Sequence, residues 1–80
     1  MVKTYGDLYV RTRDRLTLTE SPETAGPMAR DLVSTLSGMT QEAFLAERDK
    51  PVSEELTARV DMAVDRYLAG EPLPYVLGEW

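Results

Sequence analysis

The sequence predicts an all-α fold: a small orthogonal or up-down bundle of four to five helices, with no sheet. Apolar residues recur at helical spacing along most of the 80 residues. Residues that favour helix starts and stops separate these stretches. No run of four or more β-branched or aromatic residues alternates with polar ones, so strand signals are nearly absent. A chain of this length, with 42% hydrophobic residues, forms one domain at most and buries a modest core.

The first helix is predicted from Thr4 to about Thr19. Thr4 can cap its start, and Asp7 follows three residues later, as in a capping box. The apolar positions at helical spacing are Tyr5, Leu8, Tyr9 and Leu16.

The second helix is predicted over about Pro27 to Ser37, because Pro22 and Pro27 are tolerated only near a helix start. Gly38 suits a left-handed C-terminal cap. One stripe of the helix is apolar and consists of Met28, Ala29, Leu32, Val33 and Leu36.

A short third helix is predicted within TQEAFLAER and ends at Asp49-Lys50-Pro51. Thr40 can cap it, and we expect Phe44 and Leu45 to be its buried residues.

The fourth and longest helix is predicted in SEELTARVDMAVDRYLAG. Ser53 is a favourable N-cap, and Glu54 and Glu55 lie where the helix dipole favours negative charge. Gly70 ends the helix, and a short fifth turn of helix is predicted between Pro72 and Leu77. The apolar side consists of Leu56, Val60, Ala63, Val64, Tyr67 and Leu68.

The composition offers few groups for catalysis. Histidine and cysteine are both absent, which removes the commonest general base and two common metal ligands. Asp61 and Asp65 lie one helical turn apart, and we interpret them as a solvated face beside Arg59 and Arg66. None of the glycines forms a phosphate-binding loop. We therefore predict no catalytic, cofactor-binding or metal-binding residue in this chain.

The charge balance argues against nucleic acid as a partner. The net charge is −5, whereas nucleic-acid modules usually carry a basic face. Arg11, Arg13 and Arg15 are spaced by two and cannot all share one helix face, so we interpret them as solvated charges. No stretch approaches the roughly 20 apolar residues of a membrane span, and the N-terminus has no secretory signal. We expect a cytoplasmic monomer that does not bind membranes.

The last eleven residues, GEPLPYVLGEW, form the most specific stretch of the sequence. Gly70 closes the long helix, Pro72 and Pro74 restrict the backbone, and Gly78 breaks the structure again. From these residues alone, an ordinary C-terminal cap of the bundle and a functional segment remain equally open. The apolar residues that can fold back onto the bundle are Leu73, Tyr75, Val76 and Leu77.

This stretch strongly resembles a junction in HemK-type, also called PrmC-type, peptide chain release factor glutamine N5-methyltransferases. There, a run like GEPLxYILGExEFYG connects the N-terminal helical domain to the catalytic domain. Gly26-Pro27 and Ser34-Thr35-Leu36 depart from the residues more common in the family. Other segments agree in order and spacing, and they are TYGDL, ESPETAGPMARDLVSTLSG and KPVSEELTARVDMAVDRYLAG.

The resemblance implies a helical bundle domain over residues 1–70, followed over residues 71–80 by a short helical turn and the start of an interdomain linker. The family's catalytic domain, with its S-adenosylmethionine loop and Asn-Pro-Pro-Tyr motif, has no counterpart in these 80 residues. An isolated N-terminal domain is therefore implied, which is not itself an enzyme and holds no cofactor. The implied linker residues are Gly70, Glu71, Pro72, Leu73, Pro74, Tyr75, Leu77 and Gly78.

In the family, this domain helps to recognise the release factor and to position its Gly-Gly-Gln loop, so the implied partner is a release factor. The alternative is a free-standing helical module that binds a protein through an exposed apolar stripe. Burial of Trp80 distinguishes the two hypotheses. We expect the tryptophan to be packed in a free-standing module and mostly solvated in an isolated domain.

Overall fold

A computed structural model describes residues 2–72 and Val76. Within these residues the chain contains four α-helices and no strand apart from one isolated bridge, between Thr4 and Pro51. The predicted all-α bundle is thereby confirmed. Most of the predicted fifth turn lies outside the described residues, as does Trp80. The helices are α1 (Tyr5–Leu16), α2 (Pro22–Ser37), α3 (Gln41–Ala46) and α4 (Glu54–Leu68).

The start of α1 has the predicted capping box. The Asp7 N–H donates to the Thr4 hydroxyl at 3.1 Å, and the Asp7 carboxylate accepts the N–H groups of Lys3 and Thr4 at 3.1 and 3.2 Å. These donors, Lys3 first, lower the pKa of Asp7. The helix ends at Leu16, before the predicted end at Thr19, because residues 17–20 turn back onto its last carbonyls.

The second helix starts earlier than predicted, and this corrects the sequence analysis. It begins at Pro22, which occupies the first helical position, and Pro27 lies inside it. A residue before proline is restricted partly by its own Cβ, and Gly26 has none. Gly26 therefore relieves the restriction that Pro27 places on the preceding residue, while the helix still lacks the hydrogen bond that an N–H at position 27 would have made. At the other end Gly38 adopts φ 75°, the left-handed cap that was predicted.

Helices α3 and α4 begin at the predicted caps. The hydroxyl of Thr40 accepts the Ala43 N–H at 3.0 Å, and that of Ser53 accepts the Leu56 N–H at 3.1 Å. Phe44 is buried as predicted, but Leu45 is 55% exposed. A helix of six residues has few positions that face the core, and Phe44 occupies one of them.

Helix α2 lies at the centre of the bundle and contacts all three other helices, while α1 also packs along α4. The ring centroids of Tyr9 and Phe44 lie 6.0 Å apart, with an angle of 56° between the ring planes. The buried apolar core consists of Leu8, Leu16, Ala25, Ala29, Leu32, Val33, Phe44, Leu56, Val60, Ala63, Val64 and Val76.

The N-terminal end of α1 rests on the loop between α3 and α4. The N–H groups of Tyr5 and Gly6 donate to the carbonyls of Lys50 and Arg48 at 3.2 and 2.8 Å. A Cβ at Gly6 would lie only 3.0 Å from the Arg48 side chain, so glycine allows this close approach. Two of the N–H groups that a helix start leaves unpaired are thus satisfied by the loop.

Candidate interdomain junction and binding surface

Ion pairs join α1 to α4, which lie side by side and run in the same direction. Arg11 donates through Nε and Nη2 to the two carboxylate oxygens of Asp61, at 3.2 and 3.1 Å. Arg15 Nη1 lies 3.5 Å from the Asp61 carboxylate and 3.3 Å from its carbonyl oxygen, and Arg15 also pairs with Asp65. Side chains from α1 and α4 therefore form a continuous charged ladder.

This ladder corrects one interpretation of the sequence. Arg11 and Arg15 are four residues apart and share one face of α1, so they are paired rather than simply solvated. Asp65 has an exposed side chain, as the predicted solvated face requires, and Asp61 is more enclosed by its arginine partners. The ion pairs could not be predicted from local spacing, because they join residues 46 to 50 positions apart.

Two shallow concavities flank the ladder and share Val2 and Arg11 in their walls. One, of about 550 Å³, lies along the outer side of α1 and includes Val10 and Asp14. The other, of about 350 Å³, lies between α1 and α4 and includes Val52. Their walls mix apolar and charged side chains, as partner-binding surfaces commonly do.

Two carboxylates of this surface already have partners. Asp7 is committed to the α1 cap, and Asp61 is committed to Arg11 and Arg15. Over residues 2–72 and Val76, no group of three or more acidic side chains could hold a metal ion.

The C-terminal end of α4 is where the sequence analysis placed the start of the linker. Gly70 adopts φ 106°, in the left-handed region that favours glycine, and its N–H donates to the Tyr67 carbonyl at 3.0 Å. The next N–H, that of Glu71, donates to the Arg66 carbonyl at 3.1 Å. The predicted helix stop is confirmed, and the chain turns sharply there.

Side chains reinforce this turn. Arg66 Nε and Nη2 donate to the two carboxylate oxygens of Glu71 at 2.9 and 3.0 Å, a two-point contact that we name the exit clamp. The hydrogen bonds from Arg66 lower the pKa of Glu71, and the same contact raises the pKa of Arg66.

A second contact ties the end of α4 to the turn between α1 and α2. The Tyr67 hydroxyl donates to Glu20 Oε1 at 3.1 Å. Burial of the ring, and then the hydrogen bond to Glu20, raise the pKa of Tyr67. We name this contact the tyrosine tie.

Of the predicted linker residues, Gly70, Glu71 and Pro72 are described. Val76, within the same stretch, is 6% exposed and packs with the core, and its N–H donates to the Pro72 carbonyl at 3.2 Å. The predicted linker residues outside the described part of the chain are Leu73, Pro74, Tyr75, Leu77 and Gly78.

Neither the exit clamp nor the tyrosine tie is predicted by the sequence. The clamp joins charges five residues apart across a helix stop, which is not one of the spacings that pair side chains on a helix. The tie spans 47 residues, and no local pattern marks it. Only the opposite charges on either side of Gly70 could have suggested the clamp.

None of the helices in residues 2–72 is long and apolar enough to cross a membrane. No curated protein and no solved structure matches the chain. A family model described as the PrmC N-terminal domain matches residues 7–78. This match covers nearly the whole chain and includes the charged ladder and the exit clamp. The chain therefore belongs to the PrmC N-terminal domain family.

Proposed function

We propose that this chain is the substrate-recognition domain of a protein-glutamine N5-methyltransferase that acts on the Gly-Gly-Gln loop of class I release factors. The observation that carries the proposal is the family match over residues 7–78. In this role the chain binds a release factor, as a monomeric unit in the cytoplasm. A catalytic domain of the parent protein binds S-adenosylmethionine and transfers the methyl group.

The chemistry of the chain supports a binding role. It has no histidine or cysteine, and Asp7 and Asp61 already serve a cap and the ladder. Its net charge of −5 favours a partner that presents a basic surface, because complementary potentials steer association. We therefore expect the affinity for the release factor to fall as the salt concentration rises.

The test compares the parent methyltransferase with and without residues 1–70 on two substrates. One substrate is an intact class I release factor, and the other is a short peptide that contains Gly-Gly-Gln. Removal of the domain should lower kcat/KM for the intact factor by roughly tenfold or more, mainly through a higher KM, and should spare the peptide. Calorimetry of the 80-residue chain with the intact factor measures the binding directly.

Equal activity on the intact factor with and without residues 1–70, together with no heat of binding, would contradict the proposal. Binding that is specific for the factor, and lost when its Gly-Gly-Gln domain is removed, separates this role from that of a free-standing interaction module.

A further inference from the structure

We propose that the exit clamp, Arg66 with Glu71, is a positioning device that fixes the direction in which the chain leaves α4. Together with the buried Val76, it thereby contributes to the orientation of the recognition domain relative to the catalytic domain. This inference rests on the proposed function, because it requires a catalytic domain connected through this exit.

The clamp holds one residue in three ways. Both carboxylate oxygens of Glu71 accept hydrogen bonds from the planar guanidinium of Arg66, at 2.9 and 3.0 Å. The backbone N–H of Glu71 also donates to the Arg66 carbonyl at 3.1 Å. Two parallel side-chain bonds restrict rotation far more than a single contact does. Glu71 is therefore fixed in direction as well as in position.

The clamp spans a residue that would otherwise act as a hinge. Gly70 lies between the two partners, at φ 106°, and has nothing within 4 Å of the place where a Cβ would lie. Glycine has access to many backbone conformations, and domain hinges are a few residues that absorb such changes. Without the clamp, rotation at Gly70 would change the path by which the chain leaves α4 before it reaches the buried Val76.

The base of this hinge is anchored to the bundle on both sides. Tyr67, next to Arg66, donates to Glu20 in the turn before α2. Beyond the clamp, Val76 is buried in the core. The clamp thus lies between two fixed points, so a change in it alters the path of the chain rather than the packing of α4.

Stability of the fold does not account for the clamp. The side chains of Arg66 and Glu71 are 47% and 42% exposed, and ion pairs as exposed as this add little to folding. Helix α4 is already held by its buried residues Val60 and Val64. What the contact provides is a defined geometry at the exit.

Charge-reversal variants of the parent methyltransferase test the inference. Arg66→Glu or Glu71→Arg should lower kcat/KM for the intact release factor by roughly threefold to tenfold, as a modest shift in an orientation equilibrium does. Activity on the Gly-Gly-Gln peptide and the melting temperature should stay unchanged. The double variant Arg66→Glu/Glu71→Arg should restore most of the activity. Arg59→Glu, which reverses an exposed charge of α4 away from the exit, is the matched control.

Wild-type kcat/KM on the intact factor in both single variants would overturn the inference, as would a double variant no better than the singles. The deletion of residues 1–70 separates this failure from that of the proposed function. If the deletion reduces activity on the intact factor and the clamp variants do not, only the positioning role is wrong. If the deletion itself has no effect, the proposed recognition function is wrong.

Discussion

At the scale of single residues, burial decides which side chains hold the bundle together. Leu8 of α1 is fully buried, whereas Leu18, two residues after that helix, is 77% exposed. Leu8→Ala should lower the free energy of unfolding by about 2–5 kcal/mol, through lost burial and the cavity that remains. For a chain of this size, such a loss is a large part of the total free energy of unfolding. Leu18→Ala should stay within about 0.5 kcal/mol. Urea denaturation of the two variants measures the difference, and equal midpoints would contradict the assigned core.

A second residue, Asp7, links the fold to pH. Its carboxylate accepts the N–H groups of Lys3 and Thr4, which lower its pKa below the ordinary value of 3.8. A carboxyl whose pKa falls on folding stabilises the fold above its ordinary pKa, and this stabilisation disappears as the pH falls through the lowered value. Between about pH 5 and pH 2, the wild type should therefore lose more stability than Asp7→Ala. Denaturation curves across this range measure the slope, and superimposable pH profiles would show that the cap carries no such linkage.

At the scale of helices, the two serine N-caps provide a matched pair. The hydroxyl of Ser53 accepts the Leu56 N–H at 3.1 Å, whereas that of Ser21 makes no such cap bond and donates instead to Thr24 Oγ1. Ser53→Ala should cost about 1 kcal/mol of unfolding free energy, and Ser21→Ala only a few tenths. Thermal melting of both variants measures the two losses of stability. A larger loss for Ser21→Ala would mean that the cap geometry is not what stabilises these helix starts.

The helices also show what local sequence can predict. Caps act within one turn, so Thr4, Thr40, Ser53 and Gly38 marked their helix ends correctly. The start of α2 was missed because a general rule against proline in helices was applied without the effect of Gly26, whose missing Cβ relaxes it. Leu45 was predicted to be buried because an apolar residue in a helix usually is, but the short α3 has little room on its core side.

At the scale of the whole molecule, the contacts that define the candidate site join distant parts of the chain. The ladder from Arg11 and Arg15 to α4 depends on how α1 and α4 pack together. The tyrosine tie depends on the turn after α1 lying close to the end of α4. Neither follows from spacing along one helix. The glycine stop at residue 70 was predictable because it acts locally, but the clamp across it was not.

The folded unit extends beyond the end of α4. The sequence predicts a bundle over residues 1–70, yet Val76 is only 6% exposed and packs with the core. Val76→Ala should therefore lower the free energy of unfolding by about 1–3 kcal/mol, the range for removing buried methyl groups. Val10→Ala makes the same chemical change at a residue that is 42% exposed, and it should stay within about 0.5 kcal/mol. Equal effects in urea denaturation would place the boundary of the bundle near residue 70, whereas a selective loss for Val76→Ala would show that the junction is part of the fold that it leaves.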